Sequence, residues 1–101
     1  MADEIAVGQT DEFREWLHRL KDADAAARIV GRIRRMAQGN PGDTKSLGGG
    51  LIEMRIDYGP GYRLYFTYRG RLAVLLLCGG DKRSQQRDIA KARELMTELK
   101  R

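Results

Sequence analysis

The sequence is poor in the side chains that most hydrolases and redox enzymes depend on. It has one cysteine and one histidine. A single cysteine, Cys78, excludes an intrachain disulfide framework and a Cys-x-x-Cys pair, and favours a reducing compartment. It lies in an apolar run with no basic cluster beside it in sequence, which predicts a buried structural thiol rather than a nucleophile. The lone His18 falls next to Trp16 and Leu17, far in sequence from the basic residues discussed below. A surface or boundary role is expected for it, and a core role for Trp16. No cluster has metal-ligand spacing and no Ser-His-Asp set is present, so hydrolases of those classes are disfavoured and no metal or cofactor is expected. The longest apolar stretch, Leu72 to Cys78, is too short to cross a bilayer. Met1-Ala2-Asp3-Glu4 is acidic and no apolar segment follows it, so no secretory signal and a cytoplasmic location are expected. Glycine is plentiful, but Gly48-Gly49-Gly50 is not a phosphate-binding loop: no Lys-Ser/Thr follows and no helix begins there.

Positive charge is what the chain has in excess. Its 101 residues fit one domain, residues 1–101, with a net charge of +5. Residues 1–50 hold 8 basic and 8 acidic side chains, a net of zero, whereas residues 51–101 hold 11 and 6. The whole excess therefore lies in the second half. Fourteen of the 19 basic residues are arginine, whose planar fork of donors suits phosphate. Such a balance favours nucleic acid, an anionic membrane or an acidic protein.

The pattern along the chain predicts an α+β domain. Glu4–Gly8 reads as a short edge strand. Thr10 caps a helix whose Phe13, Trp16, Leu17 and Leu20 share one face, with Asp11 and Glu12 suited to the helix dipole. Asp22 caps a second helix with the apolar stripe Ala26, Ile29, Val30, Ile33 and Ala37, and with Arg28, Arg32 and Arg35 on another face. Glycine near Gly39–Gly42 ends it. The two helices are expected to form a hairpin. Residues 43–50 read as a loop. Ile52, Met54, Ile56 and Tyr58 then alternate with polar residues, as do Tyr62, Leu64, Phe66 and Tyr68, marking two half-buried strands. A three-residue turn, Gly59-Pro60-Gly61, sets Tyr58 opposite Tyr62, Asp57 opposite Arg63 and Arg55 opposite Tyr65. Leu72–Gly79 reads as a strand near the sheet centre. Asp81 or Ser84 caps a final helix with Ile89, Ala92, Met96 and Leu99 inward. The predicted order is β-α-α-β-β-β-α, with a curved antiparallel sheet packed by an N-terminal helical hairpin and a C-terminal helix.

The polar face of the central hairpin collects Glu53, Arg55, Asp57, Arg63 and Tyr65. Lys82, Arg83 and Ser84 follow at the start of the last helix, where free N–H groups also favour anions. Together they predict a concave phosphate site. The plainer alternative is a cross-strand ion pair between Asp57 and Arg63.

The stretches LIEMRIDYGPGYRLYF (Leu51–Phe66) and LLLCGGDKRSQQRDI (Leu75–Ile89) closely resemble the RelE/ParE superfamily of toxins, above all its HigB-like branch of addiction module killer proteins. The likeness extends to Phe13-x-x-Trp16-Leu17. It implies the RelE-like fold and the toxin of a type II toxin–antitoxin pair, acting as a metal-independent, ribosome-dependent mRNA endoribonuclease. The chemistry implied is attack of a ribose 2′-OH on the adjacent phosphate. By position, Arg63 resembles the family's phosphate-stabilising arginine and Arg83 its second arginine, assigned to the leaving group. Arg55 matches a basic residue on the neighbouring strand. Lys82, Arg87 and Ser84 are expected to bind RNA phosphate, and Glu53 or Tyr65 to act as base. Arg87 stands where some relatives carry a Tyr or His. The implied partners are the ribosome with its mRNA and a cognate antitoxin of helix-turn-helix type, with operator DNA bound only through that antitoxin. The alternatives are a ParE-like gyrase inhibitor without catalysis and a plain nucleic-acid-binding module.

Overall fold

The computed structural model describes residues 4–100. The acidic start at Met1–Asp3, on which the expected absence of a signal rests, lies outside them. The chain runs β1 (Ala6–Gln9), α1 (Asp11–Arg19), α2 (Ala23–Ala37), β2 (Thr44–Gly48), β3 (Leu51–Ile56), β4 (Tyr62–Tyr68), β5 (Ala73–Asp81), a 3₁₀ turn (Lys82–Ser84) and α3 (Gln85–Leu99).

Both N-terminal helices start where the caps predict. The Thr10 hydroxyl accepts the Phe13 amide at 3.0 Å and donates to the Leu77 carbonyl at 2.6 Å, so the cap also pins α1 to β5. The Asp22 carboxylate accepts the amides of Asp24 and Ala25. The chain leaves α2 through Gly39, whose φ of 88° is open to glycine. The α2 stripe is turned from the expected one: Ala25, Ile29 and Met36 are buried, whereas Val30 is exposed. Trp16 is partly buried against the core and His18 is exposed.

The sheet has five strands in the order β1-β5-β4-β3-β2. It is mixed rather than antiparallel throughout, because β1 pairs parallel with β5. The return from β1 to β5 spans both helices and the whole meander, and a crossover of that length permits parallel pairing. Residues 43–50, expected as a loop, contain β2. It pairs antiparallel with β3 through a two-residue turn at Gly49-Gly50, where φ is 63° and 88°. Positive φ at both turn residues matches the strand twist of a tight hairpin.

The β3–β4 register also differs from expectation. Ile56 faces Tyr62, Arg55 faces Arg63 and Glu53 faces Tyr65. The turn therefore spans Asp57–Gly61, and the pairing is slipped by two residues from the predicted one. A slip of two preserves each side chain's face, so the apolar alternation cannot detect it.

The two faces of the sheet carry different helices. Phe13, Ala25, Ile29 and Met36 from α1 and α2 pack on Met54, Ile56, Leu64, Phe66, Val74 and Leu76. On the other face, Ala92 and Leu95 of α3 pack on Leu51, Tyr65, Leu77 and Cys78. The inward side of α3 is rotated from the predicted stripe: Asp88, Ala92 and Leu95 are buried and Leu99 is exposed. Cys78 is buried as predicted.

Two glycines late in β5 let both layers close on the backbone. A Cβ on Gly79 would collide with the Trp16 indole. One on Gly80 would collide with the Asp88 carboxylate and lie 2.7 Å from the Ser84 hydroxyl. Gly79→Ala is expected to destabilise the fold by about 1–3 kcal/mol, the usual cost of overpacking, measured by urea unfolding. A midpoint equal to wild type would show that Trp16 does not press on this strand.

Candidate functional site

The structure lines up one rung across the sheet at the β3–β4 turn end. Arg55 on β3 faces Arg63 on β4, and Arg63 faces Gly80 on β5. On the outer side, the Arg55 amide donates to the Asp43 carbonyl at 2.9 Å, and its Nη2 pairs with the Asp43 carboxylate at 2.9 Å. That bond raises the Arg55 pKa still further. Arg63 is different. Asp57, expected opposite it, lies in the exposed turn, and no carboxylate pairs with Arg63 among the described residues. The Nε atoms of both Arg55 and Arg63 are buried without a hydrogen-bond partner among the described residues. Two like charges directly opposite on a sheet destabilise it. One rung thus holds two guanidiniums, of which Arg55 is balanced by Asp43 and, one rung away, by Glu53, while Arg63 is left without an ion-pair partner among the described residues.

The neighbouring rung pairs Glu53 with Tyr65 and Tyr65 with Cys78. It lies under the start of α3 and is closed to solvent: Glu53 is 2% exposed and Tyr65 0%. The Glu53 carboxylate accepts a hydrogen bond from Gln85 Nε2 at 2.8 Å. The Tyr65 hydroxyl has no hydrogen-bond partner among the described residues. Burial raises the pKa of Tyr65, and the charge of Glu53 raises it further. This phenol stays neutral and acts poorly as a base.

The basic loop is locked by its own polar groups. Asp81 Oδ1 accepts the Arg83 and Ser84 amides at 2.9 and 3.1 Å, while the Ser84 hydroxyl accepts the Asp81 amide at 3.2 Å. This is a reciprocal capping box closed around the 3₁₀ turn. The Ser84 hydroxyl also reaches the buried Asp88 carboxylate. Asp81 is therefore the cap and Ser84 the link to α3. Held this way, Lys82 and Arg83 stay exposed beside the rung that ends at Gly80. Asp81 to Arg87 line an open cleft of about 850 Å³.

The expected site residues therefore fall on two neighbouring rungs at one end of the sheet and on the turn that follows β5. Arg55 and Arg63 share one rung, Glu53 and Tyr65 hold the next, under α3, and Lys82 and Arg83 stand on the turn that Ser84 braces. The cleft is lined by the turn and the first residues of α3, with the sheet arginines beside it. Arg87 is 82% exposed along its side chain, close to Asp88 at 3.8 Å, and belongs to the cleft's outer wall. Asp88, Gln85 and Asp43 are the participants the sequence reading missed. The spacing Ser84-x-x-x-Asp88, one helical turn, carries the signal for the first. Among the described residues, no three His, Cys, Asp or Glu side chains are placed to hold a metal ion. No helix among them is long and apolar enough to cross a membrane.

Cys78 stands beside Tyr65, its thiol donating to the Asp88 carbonyl at 3.3 Å. Burial, and then the charge of Asp88, pushes its pKa up from 9.0 to about 12. The unfolded chain releases this proton first as pH rises, so the stability Cys78 contributes is complete below pH 9 and declines from there toward pH 12. Urea midpoints at pH 8 and pH 10.5 should show a drop that is smaller in Cys78→Ala. An equal drop in both proteins would refute the buried thiol.

A 46%-identical relative covers 95 residues, 94% of this chain and 96% of its own length; it is an uncharacterized protein of Haemophilus influenzae. The family profile described as phage derived protein Gp49-like (DUF891) matches residues 15–97. That span runs from α1 almost to the end of α3 and takes in both rungs and the basic turn. On this match the chain belongs to the Gp49-like family of phage-derived proteins, a family associated with toxin–antitoxin systems.

Proposed function

We propose that the chain is the toxin of a type II pair of the RelE/ParE superfamily, HigB-like branch, and that it cuts mRNA on the ribosome. The observation that carries this reading is the rung in which Arg55 and Arg63 face each other, with Arg55 ion-paired to Asp43 and no carboxylate paired to Arg63 among the described residues. A phosphodiester supplies the partner that Arg63 lacks. Attack of the 2′-oxygen on the adjacent phosphorus forms the O2′–P bond and breaks the P–O5′ bond. Charge accumulates on the non-bridging oxygens, where Arg63, Arg55 and Lys82 donate. Fixed donors aimed at developing charge supply a large part of such catalysis. Arg83, held by the Asp81 cap, serves the departing O5′, which gains a proton. Glu53 is the better of the two candidate bases for the 2′-OH proton, and for it to take that proton Gln85 must swing off its buried carboxylate. It is a carboxylate one rung from the arginines, separated from the cleft by Gln85, whereas Tyr65 is buried with its pKa raised. Ser84 holds the loop rather than the RNA, and Arg87 steers the strand from the outer wall.

In this reading the antitoxin neutralises the toxin and, through its helix-turn-helix segment, brings the pair to operator DNA. The test is to induce the chain without its antitoxin, then follow 5′ ends within translated messages alongside plasmid supercoiling. New ends with unchanged supercoiling are expected. Intact messages with lost supercoiling would identify a gyrase poison instead.

A further inference from the structure

A second basic surface lies on the opposite layer of the sheet and is not part of the cleft. Between Ala25 and Gly42 the sequence has four arginines and no acidic residue. A helix face that is merely solvated carries mixed charges, as α1 does with its Asp11–Arg14 and Glu15–Arg19 pairs. On α2, Arg28, Arg32 and Arg35 instead line a groove of about 320 Å³ whose far wall is Asp57 and Tyr58 at the β3–β4 turn.

Two of these arginines are fixed in place. The Arg28 guanidinium lies 4.4 Å above the centre of the Tyr58 ring, whose hydroxyl donates to Asp22 at 3.4 Å. Arg32 donates to the Arg55 carbonyl at 2.8 Å and to the Pro41 carbonyl at 3.1 Å. It therefore ties this groove to Arg55, the strand residue that faces Arg63 and pairs with Asp43. Arg35 is exposed and has no ion-pair partner among the described residues. Burial first, and then the charge of Arg35, hold the Arg32 guanidinium below its usual pKa, against the opposing pull of Asp43.

We propose that this groove is a second binding surface for RNA phosphate. It engages the same strand beyond the cleft as the RNA passes around the β3–β4 turn, with Arg28 and Arg35 as the contacts and Arg32 as the brace. The proposal rests on the RNA-cutting reading above and adds to it a substrate that must extend past the scissile phosphate.

The test uses the full chain and a 5′-fluorescent single-stranded RNA of twelve nucleotides, followed by anisotropy across a salt series. Arg28→Gln/Arg35→Gln is compared with Arg63→Gln, and melting curves confirm that both variants fold. Two lost phosphate contacts on a single strand should flatten the plot of log affinity against log salt by about 1.4. At low salt the double variant should bind about tenfold more weakly, a loss in the range expected for phosphate contacts. A double variant with the wild-type affinity and slope, beside a weakened Arg63→Gln, overturns the groove and leaves the cleft standing. A folded wild-type chain that does not bind the RNA overturns the groove, while the cutting on the ribosome is decided separately by whether translated messages acquire new 5′ ends.

Discussion

Arg63→Gln is expected to lower RNA cleavage by about 100-fold to 1000-fold, the usual loss when one preorganised donor to developing negative charge is removed. The same substitution should not lower stability. Arg63 faces Arg55 across the strands, its Nε is buried without a partner, and no carboxylate pairs with it among the described residues. Glutamine keeps most of the aliphatic stem that packs on the sheet and removes the repelled charge. The urea midpoint should therefore equal or exceed that of wild type. This pairing of lost function with retained or increased stability separates a binding residue from a structural one. Had Arg63 been the partner of Asp57, as the predicted register implied, its loss would have weakened the fold. A stable variant that still cuts at the wild-type rate would remove Arg63 from the site.

Asp88→Ala should do the reverse and damage both properties. Asp88 is 8% exposed, accepts from the Ser84 hydroxyl and fills the space left open by Gly80. Losing a charge-assisted hydrogen bond costs about 1.5–3 kcal/mol, and the vacated volume beside Gly80 adds to it. For a domain of this size a melting temperature lower by about 10 °C follows, since each kcal/mol moves it by about 4–8 °C. Activity should fall by about 100-fold, because misplacing catalytic groups by about 1 Å has that effect. Here the displaced groups are Lys82 and Arg83, whose loop loses its tie to α3. Asp88→Asn keeps the shape and an acceptor, so it should recover most of the stability and part of the activity. An Asp88→Ala protein that melts and cuts like wild type would show that the capping box at Asp81 holds the loop unaided.

The two variants also show which parts of the molecule the amino-acid order made legible. Helix starts at Thr10 and Asp22 were readable because capping is local chemistry, settled within three residues. The faces of β3 and β4 were readable because alternation of period two records them. Their exact register was not, since a slip of two residues leaves every face unchanged, and the choice between a three-residue and a five-residue turn rests on long-range packing. That slip replaced an Asp57–Arg63 pair with an Arg55–Arg63 pair, and with it the electrostatic character of the site. Strand β2 escaped because Thr44-Lys45-Ser46-Leu47-Gly48 is a polar edge with little to bury, and its glycines serve the hairpin turn. Asp88 escaped because a charged residue on the buried side of a helix contradicts the apolar stripe; only its partner Ser84 and the bare backbone of Gly80 accommodate it. The basic residues themselves were plain in the sequence. Their placement beside a covered rung that holds Glu53 and Tyr65 depends on where α3 lies.

The central claim is that Arg63, with the basic turn beside it, promotes breakage of a phosphodiester by attack of the neighbouring 2′-hydroxyl. The most direct measurement is primer extension on a defined message bound to purified ribosomes, with the purified chain added. Wild type should produce a new 5′ end in the ribosome-bound codon. A message carrying 2′-deoxyribose at the attacking position should stay whole, as should the normal message treated with Arg63→Gln. A message left intact by the wild-type chain, or cut equally by Arg63→Gln, would contradict the account.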